Sequence, residues 1–170
     1  MAKRRRGRSV ITGPGEARTA YIETSVWGMT PANQPQALRQ PTQQFLRQCE
    51  SGLFIAYIST VVTDEIASAP ASVAAHIARE INKLAPRLLE PSAASEELAD
   101  AYLRASVIPA HKRDDARHVA IATVAGLEIL VSWNHRHLAS EGKRTLFNAV
   151  NRLAGYEQVL AIHTPFEIMR

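Results

Sequence analysis

The regular alternation between short apolar runs and longer helical segments is the feature of this sequence that most constrains its fold. The runs at 53–58 and 129–133 are apolar at nearly every position, which is typical of strands buried on both faces of a sheet. The segments between the runs carry apolar residues at helical spacing, and most end at a glycine or a proline. We therefore predict an α/β fold with a central, mainly parallel sheet covered by helices on both faces.

The predicted elements form one continuous body. Strands are predicted at 20–22, 53–58, 87–89, 129–133 and 159–163. Helices are predicted at 42–50, from 59 or 60 to before 70, at 72–84, from 92 or 95 to before 109, at 114–125 and at 146–153, with a short tail after 165. Because no internal repeat and no linker divides this body, residues 19–170 are predicted to form a single domain.

Positive charge is concentrated in the first 18 residues. They carry six lysine and arginine side chains against Glu16 alone, whereas the other residues carry 14 basic and 15 acidic side chains. The net charge of +4 therefore comes from a basic tail, residues 1–18, which we expect to be disordered in isolation. Such a tail either binds phosphate without sequence preference or only keeps the protein in solution.

The single cysteine, Cys49, cannot form an internal disulfide, which excludes a secreted scaffold built on disulfides. The longest apolar stretch, 119–133, is interrupted by Gly126 and Glu128 and is shorter than the roughly 20 residues that a membrane span needs. The basic N-terminus has no apolar segment behind its charges, so it is unlike a secretory signal. We expect a cytoplasmic protein with no membrane segment.

Four polar side chains are predicted to meet at one edge of the sheet. Glu23 follows the first strand, and Glu65 lies about a turn and a half into the helix that leaves the second strand. Asp115 starts the helix before the strand at 129–133, and Asn134 directly follows that strand. In an open parallel sheet, ligands bind beyond the carboxyl ends of the strands, which is where these residues fall.

Three carboxylates at one place repel one another, so protons or cations must neutralise them. Oxygen ligands alone favour hard ions such as Mg²⁺ or Mn²⁺ over zinc, and these ions serve phosphoryl and phosphodiester chemistry. The competing interpretation is structural: Glu23 and Asp115 are then helix caps, and Glu65 is a solvated residue on a helix face. Glu23 fits that interpretation least, because a charged group at the end of an apolar strand usually has a partner.

Four segments of the sequence form a recognisable set: 21–26 (Tyr-Ile-Glu-Thr-Ser-Val), 115–120 (Asp-Ala-Arg-His-Val-Ala), 131–139 (Val-Ser-Trp-Asn-His-Arg-His-Leu-Ala) and 164–169 (Thr-Pro-Phe-Glu-Ile-Met). In this order they resemble PIN-domain proteins, and among them the VapC-type toxins. The resemblance spans about residues 20–169 and leaves only the basic tail outside. It implies a three-layer α/β/α fold that carries a metal-dependent ribonuclease site.

The resemblance also implies roles for individual residues. Glu23, Glu65 and Asp115 match three acidic metal-binding positions, and Asn134 falls near a fourth acid of many PIN nucleases. Two departures stand out: Glu23 occupies a position where aspartate is commoner, and Asn134 brings no charge. The resemblance further implies an RNA substrate, a small antitoxin protein as partner, and a homodimer. The rival hypothesis is a catalytically weak or inactive PIN-like module that binds nucleic acid or a protein partner.

Several other polar residues have both a functional and a structural interpretation. His118 either orients Asp115 or a metal-bound water, or is a core histidine bonded to a carbonyl, and the second is favoured. His135 and His137 suggest a zinc or nickel site only weakly, because no cysteine or third histidine lies near them. Arg136 either contacts RNA phosphate or is a solvated loop residue. Trp27 and Trp133 either stack on bases or pack within the fold, and packing is favoured. Lys112 and Arg113 either guide a polyanion to the site or are simply exposed.

Overall fold

The computed structural model describes residues 16–170, so residues 1–15 of the predicted basic tail lie outside the described part. Five strands form one sheet in which every neighbouring pair is parallel, and their order is β3-β2-β1-β4-β5. The strands are β1 Arg18–Ile22, β2 Phe54–Ser59, β3 Arg87–Leu89, β4 Ile129–Val131 and β5 Ala161–His163. The predicted α/β fold with a central parallel sheet is therefore confirmed.

Helices connect the strands, as parallel strands require. They are α1 Thr24–Trp27, α2 Gln36–Glu50, α3 Thr60–Ala67, α4 Ala71–Leu84, α5 Ala93–Arg104, α6 Arg113–Val124, α7 Glu141–Leu153 and α8 Pro165–Ile168. A 3₁₀ turn at Ala110–Lys112 precedes α6, and a π-helical turn at His135–Ala139 precedes α7. Helix α2 packs against α4 and α8, whereas α5 packs against α6 and α7, and these two groups are the outer layers.

Some boundaries differ from the predicted ones for identifiable reasons. Helix α2 begins at Gln36 rather than at 42, because the buried Pro41 is accommodated inside the helix at the loss of one backbone hydrogen bond. Strand β4 ends at Val131, since the Ser132 hydroxyl accepts a hydrogen bond from the Asn134 amide and the chain turns there. The predicted C-terminal tail is the short helix α8, closed by reciprocal hydrogen bonds between residues 164 and 167.

The centre of the sheet is completely buried. The last three residues of β1 and all three of β4 are apolar or aromatic and at most 1% exposed. Arg18, assigned to the tail by charge, is the first residue of β1 and pairs with Phe54. Within residues 16–170, no helix is both long and apolar enough to cross a membrane.

The order of the strands reverses between β1 and β4. The chain runs outward from β1 through β2 to β3, then returns across the sheet to β4 on the other side of β1. At such a switch point the connections leave in opposite directions and open a crevice at the carboxyl ends of the strands. Any polar residue that directly follows β1 or β4 therefore lies at the place where sheets of this kind bind ligands.

Candidate metal centre

Glu23 is held at the switch point by both neighbouring strand ends. Its backbone N–H donates to the Val131 carbonyl at 3.0 Å, which ties the end of β1 to the end of β4. Its carboxylate oxygen Oε2 accepts hydrogen bonds from the Ser25 amide at 3.1 Å, from the Ser132 hydroxyl at 2.7 Å, and from the Ser25 hydroxyl. Glu23 is therefore the N-cap of α1, as the structural interpretation allowed, but only one of its oxygens serves that role.

The other oxygen of Glu23, Oε1, accepts no hydrogen bond from any residue in the described part of the chain. The residue is only 4% exposed, and Oε1 is the carboxylate oxygen that remains available to a ligand. Oε1 lies 4.0 Å from Nε2 of His118, which in turn lies 2.7 Å from Oε1 of Glu65. These three ligand atoms all lie within 4.8 Å of one another.

His118 is the most buried member of this group. Its imidazole is fully buried on α6, with Nε2 at 2.7 Å from Glu65 Oε1 and Nδ1 at 2.7 Å from the Tyr21 hydroxyl. The Tyr21 hydroxyl also lies 2.6 Å from Ser59 Oγ at the end of β2. The sequence favoured a core histidine bonded to a carbonyl. His118 is a core residue, but the predicted partner is wrong, because the ring contacts a carboxylate and a phenol.

The charges around His118 change its protonation. Burial alone disfavours the imidazolium, but the hydrogen bond to Glu65 and the charges of Glu23, Glu65 and Asp115 outweigh burial, so the pKa of His118 is raised. Burial raises the pKa of the Tyr21 phenol far above its ordinary value, so this side chain stays a neutral hydroxyl. The carboxylates thus favour the charged imidazole from one side, and a neutral hydroxyl faces it from the other.

Asp115 lies beside this group, one helical turn before His118. Its carboxylate oxygen Oδ2 accepts a hydrogen bond of 3.2 Å from the Asn134 side-chain amide, whose own oxygen caps the following turn by accepting from the His137 N–H. Burial raises the pKa of Asp115, opposed by the positive charges of His118, His137 and Lys112. Asn134 therefore acts toward Asp115 as a hydrogen-bond donor, and the metal role of Asp115 stays a prediction.

The residues present fit a divalent cation. Two carboxylates, Glu23 and Glu65, meet at the switch point with Asp115 one helical turn before His118, and no lysine or arginine among residues 16–170 forms an ion pair with any of the three. A bound cation would neutralise the carboxylates, and Glu23 Oε1 is an acceptor that no donor in the described part of the chain occupies. The structure thus gathers two of the three predicted metal ligands, Glu23 and Glu65, into one group and adds His118 to it.

The other polar residues singled out in the sequence lie apart from this group. His135 and Arg136 are exposed on the π-helical turn, and in the described part of the chain they join no cluster with metal-ligand spacing. The Trp133 indole N–H donates to the Thr42 hydroxyl at 2.8 Å, and the Trp27 side chain is fully buried, so both tryptophans pack within the fold. Arg113 binds two carboxylates on α5.

Sequence reasoning missed the residues that orient this site. Ser25 and Ser132 hold Glu23, while Tyr21 holds His118 and is itself bonded to Ser59. A signal was present for Tyr21, Ser59 and Ser132, because each is a hydroxyl-bearing residue in or directly after an apolar strand, where a buried polar group needs a partner. Their pairing depends on the parallel register of the strands, which no local pattern reveals.

Comparisons with known proteins agree with the fold. No family model matches the sequence, and no curated protein matches it. Among solved structures, the chain is similar to Mycobacterium tuberculosis VapC20, whose structure is described as that of a sarcin-ricin loop cleaving toxin. The two share 17% sequence identity, with a TM-score of 0.55 over 72% of this chain and 95% of that one. This likeness shows that the chain has the α/β fold of that PIN-type protein.

Proposed function

We propose that this protein is a divalent-metal-dependent endoribonuclease that cleaves RNA phosphodiester bonds. The observation that carries the proposal is the group of carboxylates at the β1–β4 switch point, which has no lysine or arginine ion pair among residues 16–170. The PIN-type fold supports it, because the similar VapC20 is described as cleaving the sarcin-ricin loop. Glu23, Glu65 and Asp115 would hold Mg²⁺ or Mn²⁺, which lowers the pKa of a bound water and screens the phosphate charge.

The side chains around the carboxylates position them. Ser25 and Ser132 fix Oε2 of Glu23, so Oε1 is directed toward His118 and Glu65. The Asn134 amide restrains Asp115 in the same way. No serine or cysteine nucleophile is needed, since the protein groups serve to orient the carboxylates and the substrate.

By the same analogy we propose that the protein is the toxin of a type II toxin–antitoxin pair. A small antitoxin protein would then restrain it, and a homodimer would be its assembled form. A test for the partner is co-purification of a small protein with the full chain at a fixed stoichiometry. Isolation of the chain alone from its native cells would contradict the antitoxin assignment.

The cleavage assay compares two neighbouring aspartates on α6. Asp115 faces Asn134, whereas Asp114 pairs with Arg117 at 3.1 Å on the outer side of the helix. Asp115→Asn keeps the shape of the side chain and removes its charge, so Mn²⁺-dependent cleavage of a mixed RNA substrate should fall about 100-fold or more. Asp114→Asn, the matched control, should cleave as wild type does, with melting curves recorded for all three proteins.

The rival function is a PIN-like module that binds nucleic acid or a protein partner without cutting. The observation that favours it is Asn134, which brings an amide and no charge to the position near Asp115. Wild-type protein that binds RNA but cleaves none of a broad set of RNAs with Mn²⁺ would support this rival. Equal cleavage by wild type and Asp115→Asn would instead place the activity elsewhere or in a contaminant.

A further inference from the structure

The two ring nitrogens of His118 face groups of different chemistry. Nε2 faces the carboxylates, at 2.7 Å from Glu65 Oε1 and 4.0 Å from Glu23 Oε1. Nδ1 faces the buried pair of hydroxyls formed by Tyr21 and Ser59. A buried imidazole needs a partner at each nitrogen, and here the two partners differ: a carboxylate at Nε2 and a hydroxyl at Nδ1.

We propose that His118 is itself a metal ligand through Nε2, and that the Tyr21 hydroxyl holds the proton on the opposite ring nitrogen. The centre is then a mixed site of two carboxylates and one imidazole, which binds Mn²⁺ more tightly than Mg²⁺. The inference rests on the metal centre of the proposed function and replaces its oxygen-only ligand set. It does not require that the protein cleave RNA.

Two of the three separations between the ligand atoms are close to those around one ion, and the third, between Glu23 and Glu65, is at most 4.8 Å. With metal–ligand bonds of about 2.1 Å, two ligands at right angles lie about 3.0 Å apart and two opposite ligands about 4.2 Å apart. The measured separations of His118 Nε2 from Glu65 and from Glu23 are 2.7 Å and 4.0 Å, close to these two values. Small side-chain movements therefore suffice, and Glu65, with a side chain 31% exposed, opens the site to solvent.

The hydroxyl pair lets Nδ1 carry the ring proton while Nε2 binds a metal. The Tyr21 hydroxyl can donate to a bare Nδ1 or accept from Nδ1–H, because a hydroxyl both donates and accepts. A metal needs the lone pair of Nε2, so the ring that binds it carries its proton on Nδ1 and donates to the Tyr21 oxygen, while the Tyr21 O–H donates to Ser59 Oγ. A proton on Nε2 leaves to solvent past Glu65 as the metal binds, and a ring whose Nδ1 is bare takes one up from solvent there, so the protons balance.

The nitrogen ligand decides which ion is preferred. Mg²⁺ takes oxygen ligands and loses its waters reluctantly, whereas imidazole suits first-row transition metals such as Fe, Ni, Cu and Zn. Mn²⁺ prefers carboxylates but is the first member of the transition-metal affinity series, so a site with one imidazole should bind it more tightly than Mg²⁺, and Co²⁺ should bind more tightly still. Outer-shell partners of a ligating histidine usually matter about 10–100-fold for metal affinity, which sets the size of effect expected at Tyr21.

The test is pulsed electron paramagnetic resonance of the full-length protein loaded with Mn²⁺, with ¹⁵N incorporated only into histidine. We expect the coupling of one directly bound imidazole nitrogen in the wild type. The coupling should persist in His137→Gln, the control for the other histidine whose charge acts on Asp115, and disappear in His118→Gln. Tyr21→Phe should weaken Mn²⁺ binding about tenfold or more in calorimetry while Mg²⁺ binding changes less.

Each other outcome overturns the inference. Bound Mn²⁺ without nitrogen coupling would show an oxygen-only site, coupling lost only in His137→Gln would assign the ligand to the turn, and failure to bind Mn²⁺ would remove the centre. If His118→Gln does not fold, the wild-type spectrum and the Tyr21→Phe affinities still decide. RNA cleavage measured on the same samples separates the two proposals. Cleavage without nitrogen coupling would contradict only the role of His118 as a ligand, and nitrogen coupling without cleavage would contradict only the proposed ribonuclease activity.

Discussion

Two acidic clusters flank helix α6, and they differ in whether basic side chains of the protein pair with their carboxylates. The outer cluster lies between α5 and α6 and consists of Glu96, Asp100 and Asp114. Arg113 and Arg117 bind all three of these carboxylates, at distances from 2.5 to 3.1 Å. The inner cluster lies at the β1–β4 switch point and consists of Glu23, Glu65 and Asp115. His118 is its only basic contact within 4.0 Å among residues 16–170.

The difference separates a structural cluster from a candidate functional one. Arg113 and Arg117 pair with the carboxylates of the outer cluster, so this cluster requires no ion from solution. Its ion pairs hold α5 against α6. The inner cluster keeps an excess of negative charge in a less accessible place, where desolvation raises the pKa of Asp115. An excess of negative charge that is not paired within the protein destabilises the fold. We therefore expect a cation from solution to balance the charge of the inner cluster.

The largest expected difference between the clusters is in catalysis. Glu65 and Glu96 each accept a hydrogen bond from a basic side chain on α6, so the same substitution can be made in both. Glu65→Gln should lower Mn²⁺-dependent RNA cleavage about 100-fold or more, because it removes a proposed ligand. Glu96→Gln should leave the rate within about twofold, as expected of a site that touches no substrate.

Initial rates on one labelled RNA, with both variants at matched concentration, measure this contrast. The double variant Glu65→Gln with Asp115→Asn should lose little more activity than either single variant, because both residues serve one site. Additive losses would indicate two independent roles. A large loss in Glu96→Gln, with its melting curve unchanged, would break the distinction between the clusters.

The next effect in size is the stabilisation of the fold by metal. An ion that binds only the native state at about 100 times its dissociation constant adds about 2.7 kcal/mol, which is about 5–10 °C in melting temperature for a domain of this size. Wild type and Glu96→Gln should both show this rise with Mn²⁺, and Glu65→Gln should show much less. Differential scanning calorimetry with Mn²⁺ and then with a chelator measures it; equal rises in all three proteins would move the ion away from the inner cluster.

The contrast also marks what the sequence could predict. The alternating pattern predicted all five strands and their parallel arrangement, and topology alone then placed Glu23, Glu65 and Asp115 at the same edge. The start of α2 was missed, because a proline usually ends a helix but Pro41 is kept inside this one by its buried packing. Neighbouring Asp114 and Asp115 look alike in sequence, and only the position of α6 sends one to the outer cluster and the other to the inner one.

His118 shows why the rest of the site could not be predicted. A histidine on an apolar helix is usually a core residue, and this one is fully buried. Its function depends on which atoms face it. These are the Tyr21 hydroxyl from β1, which is itself bonded to Ser59 of β2, and the Glu65 carboxylate from α3. Such contacts follow from the register of the sheet and the rotation of α6, which side-chain periodicity does not determine.

The smallest expected effect is the response of the outer cluster to acid. Burial opposes ionisation of Glu96, but hydrogen bonds from Arg117 and Arg113 outweigh it and hold the pKa of this carboxyl below its ordinary value. A depressed folded-state pKa contributes stability that is present above the unfolded pKa and lost as the pH falls through the folded pKa. Since the Glu96 side chain is 35% exposed, the contribution should stay below about 1 kcal/mol.

Melting temperatures from about pH 6 down to about pH 3, in the presence of a chelator, measure this contribution. Glu96→Gln should lower the melting temperature slightly at the upper end of this range and make its decline with acid shallower, because the group that gains the proton is gone. The neighbouring Glu97 is exposed and makes no ion pair within residues 16–170, so Glu97→Gln removes the same charge without breaking an arginine contact. An equal flattening in Glu97→Gln would mean that overall charge, and not the outer cluster, sets the response to acid.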